Sequence, residues 1–295
     1  MPIVAPGNGL FLTTFTPFPL LVLAVKYPWR WALGLASLEA ACTLIIGGLQ
    51  SLLFFSQYGL VPVVMAWAIR RRCLVTQTML WSIGIPLGVG CLLFIVYSGF
   101  VNQSPYHLLT RYLEQIVAVF VEQLQVLEQN RDVDHDQLEA FSQTLSQLVL
   151  TIFPAFLIIN HLLTNVVNYA LARFYCSRSR PPVHLDPPDL ACWRPSDHLV
   201  WVFLASGAAL LLPIAPIRSV GLNIFAVTLT IYLLQGIAIA VFWGRRTPFS
   251  SGMRLLLTLV LVLLIGPLCV MLCIAVGLFD LWIDFRHLRR QPQAS

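Results

Sequence analysis

Residues 149–174 read VLTIFPAFLIINHLLTNVVNYALARF, with no charged side chain before Arg173. A helix rising 1.5 Å per residue needs ~20 mainly apolar residues to cross a hydrocarbon core ~30 Å thick, so this stretch is long enough to span a bilayer. Contact with lipid alone does not explain its polar groups. Asn160, Thr164 and Asn168 are spaced i, i+4, i+8 and share one helix face, while His161 and Asn165 form a second i, i+4 pair one residue around. Together they make a stripe roughly 100° wide, and Pro154 upstream can bend the helix. Such side chains turn from lipid toward neighbouring helices or a wet cavity. Two readings stand open at this point. The amides hold helices together, at ~1 kcal/mol per interhelical hydrogen bond, or they line a solute site.

Outside this stretch the chain has the same character. Of its 295 residues 58% are hydrophobic and 11% charged, and the mean hydropathy is +0.80. Soluble domains carry roughly 25% charged residues, so the composition specifies an all-α integral membrane protein. Seven or eight membrane helices are expected, from apolar segments at 10–25, 31–49, 52–69, 76–99, 149–174, 198–217, 220–243 and 253–279. The first is interrupted by Thr13, Thr14, Thr16, Pro17 and Pro19, which suits a half-helix as well as a full span. The divisions expected are N-terminal membrane helices (1–99), an extracytoplasmic helical hairpin (100–148) and C-terminal membrane helices (149–295), which include a proline-rich cytoplasmic loop (175–197). In the hairpin Leu109, Tyr112, Ile116, Phe120, Leu124 and Leu127 make one apolar stripe, NRDVDHD (130–136) a polar turn, and Leu138, Phe141, Leu145 and Leu148 a second stripe.

Arginines set the expected orientation. Lys26 and Arg30, Arg70 to Arg72, Arg173 to Arg194, and Arg245 to Arg254 fall in four alternate connections, which the positive-inside rule assigns to the cytoplasm. The basic C-terminal run Arg286-His287-Leu288-Arg289-Arg290 then falls on the wrong side. Either the last segment breaks at Gly266-Pro267 and turns back, or the rule fails locally. Asp280 and Asp284 can pair with Arg286 or Arg290, and Trp282 suits headgroup depth, so residues 277–290 read as an interfacial tail.

Glu39 lies nine residues into its segment, where a carboxylate costs ~3 kcal/mol. His161 is the only histidine at membrane depth, and Glu39–His161 is the expected pairing. The candidate solute-binding set is Glu39, Asn160, His161, Thr164, Asn165 and Asn168. No HExxH or GxSxG occurs, so no catalytic residue and no enzymatic role is expected. The seven cysteines are odd in number and form no CxxC; they read as free thiols, and neither a metal nor a cofactor is expected. The basic residues are scattered in short runs, which argues against a nucleic-acid partner. Gly84 and Gly88 form a GxxxG, and with Gly47, Gly48, Gly90 and Gly236 they read as close-packing positions.

TPFPLLVLAVKYPWRWAL (16–33), GGLQSLLFF (47–55), LNIFAVTLTIYLLQGIAIAVF (222–242) and GLFDLWIDFRHLRR (277–290) together resemble the YybS-like family of uncharacterised bacterial polytopic membrane proteins. Members tend to open with a fuller hydrophobic helix than MPIVAPGNG. The resemblance implies a multi-pass protein of the bacterial cytoplasmic (inner) membrane and no particular reaction. By architecture the chain is similar, more distantly, to the substrate-capturing membrane subunits of energy-coupling transporters. The expectation is a transporter-like component that binds a small solute. Its partners would be the lipid bilayer and membrane or ATPase subunits, since the chain has no nucleotide-binding motif of its own. The alternative is a cell-envelope scaffold whose polar stripe only joins helices.

Overall fold

The computed structural model describes residues 13–49, 51–127, 135–178 and 190–287. Among them every regular element is helical. Six helices or helix pairs are long and apolar enough to cross a membrane: Trp29–Gly47, Ser51–Arg70, Val75–Phe100, Phe141–Arg178, Ala215–Gly244 and Ile265–Ile283. Two shorter apolar helices, Pro17–Lys26 and Leu199–Leu210, complete the eight segments expected from the sequence. The chain forms two compact units, Met1–Asp186 and Pro187–Ser295.

The first unit contains α1 (Pro17–Lys26), α2 (Trp29–Gly47), α3 (Ser51–Tyr58), α4 (Leu60–Arg70), α5 (Val75–Phe100), α6 (Pro105–Leu127) and α7 (His135–Arg178). With ten residues α1 rises only about 15 Å, yet Leu21 and Ala24 on it are fully buried. It is an internal half-helix packed on α2, α4 and α7. Its end is held by Arg70, whose Nε and Nη2 donate to Ala24 O at 2.9 and 2.7 Å and whose Nη2 also donates to Tyr27 O. A guanidinium on the final carbonyls of a helix satisfies orphan acceptors and complements the helix dipole. It also brings the Lys26 connection and the Arg70–Arg72 run to one end of the unit, as the arginine count requires.

α7 is one continuous helix of 44 residues, about 66 Å long and roughly twice the thickness of a hydrocarbon core. The division drawn from sequence at 148/149 therefore falls inside a helix, and residues 149–178 group with the first unit rather than with the helices that follow. The early part of α7 packs against α6, forming the two arms of the hairpin; the turn at 128–134 lies outside the described residues. On α6 the buried seam is Leu113, Val117 and Val121, whereas Tyr112, Ile116 and Phe120 are exposed. The expected stripe is thus one residue out of phase. The apolar arc of α6 is wider than one packing seam, so its spacing cannot say which edge meets α7.

The second unit runs from a 3-10 turn at Leu190–Cys192 through α8 (Leu199–Leu210), α9 (Ala215–Gly244) and α10 (Ser251–Ile283). The lower part of the proline-rich loop, 179–189, lies outside the described residues. Phe203 on α8 stacks on Phe225 and meets Tyr232 edge-on, with centroids 5.0 and 5.6 Å apart, which fixes α8 along α9. α10 is kinked at Ile265 (φ −136°, ψ 37°), beside Gly266 and Pro267; Pro267 lacks an amide hydrogen and clashes with the preceding turn. Beyond the kink it runs antiparallel to α9, with Gly236 against the backbone of Cys273 and Gly277 against Tyr232 O. Any side chain at Gly236 or Gly277 would strike backbone, so these two glycines set the helix separation. Gly84 and Gly88 correct the packing assignment of the GxxxG: a Cβ at either meets nothing within 4 Å.

Candidate binding site

His161, Thr164, Asn165 and Asn168 are buried in the first unit, each at 2% exposure or less, and Asn160 is half-buried. Helical spacing alone aligns them, and the helices around α7 supply their partners. From α3, Gln57 Oε1 accepts from His161 Nε2, and Tyr58 Oη accepts from Asn160 Nδ2 at 3.4 Å. Asn165 Nδ2 donates to Ser82 Oγ on α5 at 2.9 Å, and that hydroxyl donates onward to Met79 O at 3.2 Å. Asn168 Nδ2 donates to Thr14 O and to Thr164 O, both at 2.7 Å. Gly90 on α5 makes room for α3: a Cβ there would meet Gln57 Nε2 and, at 3.1 Å, Ser56 Oγ.

The donors of the stripe are thus committed, and the acceptors are not. Asn165 Oδ1 and Asn168 Oδ1 are fully buried and accept no hydrogen bond. Leaving a buried amide oxygen unpaired costs about 1–3 kcal/mol, so two of them on one helix, three residues apart, need an explanation. What the arrangement can do chemically is accept hydrogen bonds. It combines amide carbonyls and an imidazole with no carboxylate, and holds them rigidly by four interhelical links.

Glu39 is not part of it. It sits half-buried on α2, and His161 bonds to Gln57 instead. The expected Glu39–His161 pair is corrected on that point. The reason is local: α3 lies directly over the stripe, and Gln57 reaches the imidazole first. Gln57 and Ser82 were visible as polar residues inside apolar segments, but a single uncharged side chain in a span gives no signal that separates a partner from a cap.

Of the tail residues, Asp280 and Arg286 make the local pairing expected from the sequence as a buried ion pair, Arg286 Nη2 to Asp280 Oδ2 at 2.8 Å, with side chains 0% and 1% exposed. Gln235 Nε2 donates to the same oxygen at 3.0 Å, and Phe285 N donates to Oδ1 at 2.9 Å. Arg286 Nη1 donates to Ala191 O and Trp193 O at 2.8 and 2.9 Å. Asp284 takes the left-handed conformation (φ 49°) that turns the chain out of α10, and Trp282 remains 61% exposed, compatible with headgroup depth. The tail therefore ends beside residues 191–194, where the connector enters the second unit. α10 is kinked beside Gly266-Pro267 but continues as one helix, Ser251–Ile283, across the kink.

All seven cysteines are free. Among the described residues no group of three or more His, Cys, Asp and Glu side chains could hold a metal ion. A family model of predicted membrane proteins, DUF2232, matches residues 2–281. The chain belongs to that family. No curated protein and no solved structure gives a match. As a DUF2232 member with six helices of spanning length, it is a multi-pass membrane protein.

Proposed function

We propose that this chain is a solute-binding, transporter-like component of the bacterial cytoplasmic membrane, and that its site lies on α7 around Asn165 and Asn168. One observation carries the reading: two fully buried amide oxygens that accept nothing from the protein. They are held by Ser82, Thr14 and the Thr164 carbonyl through their own amide nitrogens, so their orientation is fixed before any ligand arrives. Acceptors presented without a carboxylate suit a small solute rich in N–H or O–H groups. The chemistry is recognition rather than bond cleavage. Coupling to ATP would come from a partner subunit.

The scaffold reading has one observation of its own. Four of the five polar residues on the stripe, Asn160, His161, Asn165 and Asn168, join α7 to another segment, as a device for assembly would. Mass spectrometry of the protein purified in mild detergent separates the two, scoring bound small molecules and polypeptides in wild type and in Asn165→Ala/Asn168→Ala. A stoichiometric solute, lost in a variant that still purifies as a monodisperse species, supports solute binding. No solute, with envelope proteins retained by both forms, overturns it in favour of the scaffold.

A further inference from the structure

We infer that the first half of α10, residues 251–264, does not cross the bilayer but lies along the headgroup–acyl boundary of the leaflet in which α9 ends, its exposed apolar face covered by lipid. Only the second half, Ile265–Ile283, then makes a crossing.

The register of α9 and α10 fixes where the kink lies. A Cβ on Gly236 would strike the backbone of Cys273, and one on Gly277 would strike Tyr232 O, so the two helices run antiparallel with these residues side by side. Followed for about two further turns, that register sets Ile265, where the helical dihedrals break, level with Gly244 at the end of α9. If α10 ran straight through the kink, Arg254 would lie about 16 Å beyond that level. Instead Arg254 Nη1 donates to Gly244 O at 2.9 Å. An extended arginine reaches about 7 Å from its Cα to its terminal nitrogens, which keeps the Arg254 Cα within about 10 Å of that carbonyl. The first half therefore leaves the line of α9 by about 40° or more and stays near the level at which α9 ends.

Length agrees. Residues 251–264 rise about 21 Å as a helix, short of a ~30 Å hydrocarbon core, whereas the 19 residues of Ile265–Ile283 rise about 28 Å. The apolar run at 253–279 is two pieces joined at a kink rather than one long span.

The residues at the end of α9 show what surrounds the first half. Trp243, Arg245 and Arg246 are exposed, and the Arg246 guanidinium lies over the Phe242 and Trp243 rings, 4.2 and 5.3 Å from their centroids. An exposed tryptophan beside arginines marks headgroup depth. On the first half of α10, Met253, Leu256 and Val260 are exposed and fall at i, i+3 and i+7, on one narrow helix face. At headgroup depth such a face is covered by acyl chains, as on a helix that lies in the plane of the interface. Arg254, about 100° around the helix from Met253, is directed to Gly244 O. This assignment is independent of the solute site on α7.

The test uses the full chain in nanodiscs, with Met253, Leu256 and Val260 replaced one at a time by p-acetylphenylalanine and coupled to a nitroxide, which leaves the seven native cysteines in place. Power-saturation EPR with oxygen and a water-soluble nickel chelate reads the depth of each label. The three labels are expected to be reached by oxygen and to lie within about 5 Å of one depth, whereas a crossing helix would separate positions 253 and 260 by about 10 Å. Labels at Leu268 and Leu272, exposed on the second half, should differ by about 6 Å in the same nanodiscs. Any of three results would overturn the proposal. The first is a spread above about 5 Å among the three labels. The second is access by the nickel chelate and not by oxygen, which puts this half in water. The third is access by neither, which puts a second copy or a partner polypeptide on the face. All five side chains are exposed, so the replacements leave the packing intact, and a monodisperse elution profile checks that they do.

Discussion

Two buried polar clusters, one in each unit, differ in charge: an Asp280–Arg286 ion pair in the second unit and neutral amides in the first. Around Asp280 both carboxylate oxygens accept, from Gln235, Arg286 and Phe285 N, and the guanidinium also holds the carbonyls of Ala191 and Trp193, while Gln235 Oε1 and Arg286 Nε are buried without a partner. Around Asn165 and Asn168 the groups are neutral; their donors are used and their acceptors are not. A buried charge survives only if its counter-ion is in place, and the Asp280 carboxylate has partners on both oxygens. Neutral amides tolerate an unpaired oxygen at about 1–3 kcal/mol each, and each cluster holds some: Gln235 Oε1 in one, Asn165 Oδ1 and Asn168 Oδ1 in the other. One pins a connector to a helix end; the other joins α7 to α3, α5 and the Thr14 carbonyl.

The largest loss of stability should follow from breaking the charged cluster. Arg286→Ala strands the Asp280 carboxylate and should cost about 3–5 kcal/mol, read as a fall in melting temperature in detergent and as proteolysis near residues 191–197. The double change Asp280→Leu/Arg286→Met should be far milder than the single one; equal damage would mean the ion pair is not what matters there. Gly277→Ala comes next. Its Cβ would meet Tyr232 O, and the forced separation of α9 and α10 should cost about 1–3 kcal/mol. Asn165→Ala and Asn168→Ala should each cost about 1 kcal/mol, the size of a lost interhelical hydrogen bond partly offset by removing an unpaired oxygen. Losses as large as that of Arg286→Ala would erase the distinction between the clusters. Glu39→Gln should change the melting temperature least, within about 0.5 kcal/mol, because the carboxylate is outside both networks. Gly84→Ala should be neutral or stabilising by up to about 1 kcal/mol, since its Cβ meets nothing and a helical alanine is favoured over glycine.

Much of the architecture was readable from periodicity and hydropathy, because lipid imposes a simple rule: a spanning backbone must satisfy its own hydrogen bonds, so long apolar runs are helices. The polar face of α7 was readable for the same reason, since a 3.6-residue repeat fixes which side chains share a side. Two kinds of feature were not. Phase within a wide apolar arc escaped, as on α6, where Leu113 and not Tyr112 meets the neighbouring arm. Partner choice escaped as well: the cost of an isolated carboxylate drew attention to Glu39, while the histidine's partner is the cheaper Gln57.

The sequence by itself determined the solvent, the secondary structure and the face on which the polar groups of α7 lie, because each follows from composition or from spacing along one chain. Only the tertiary structure decided what those groups touch, that Arg286 lies beside Ala191 some ninety residues away, and that α10 is kinked at Ile265. Contacts between distant segments depend on which helices meet and at what separation. A local pattern states only which groups are available to meet.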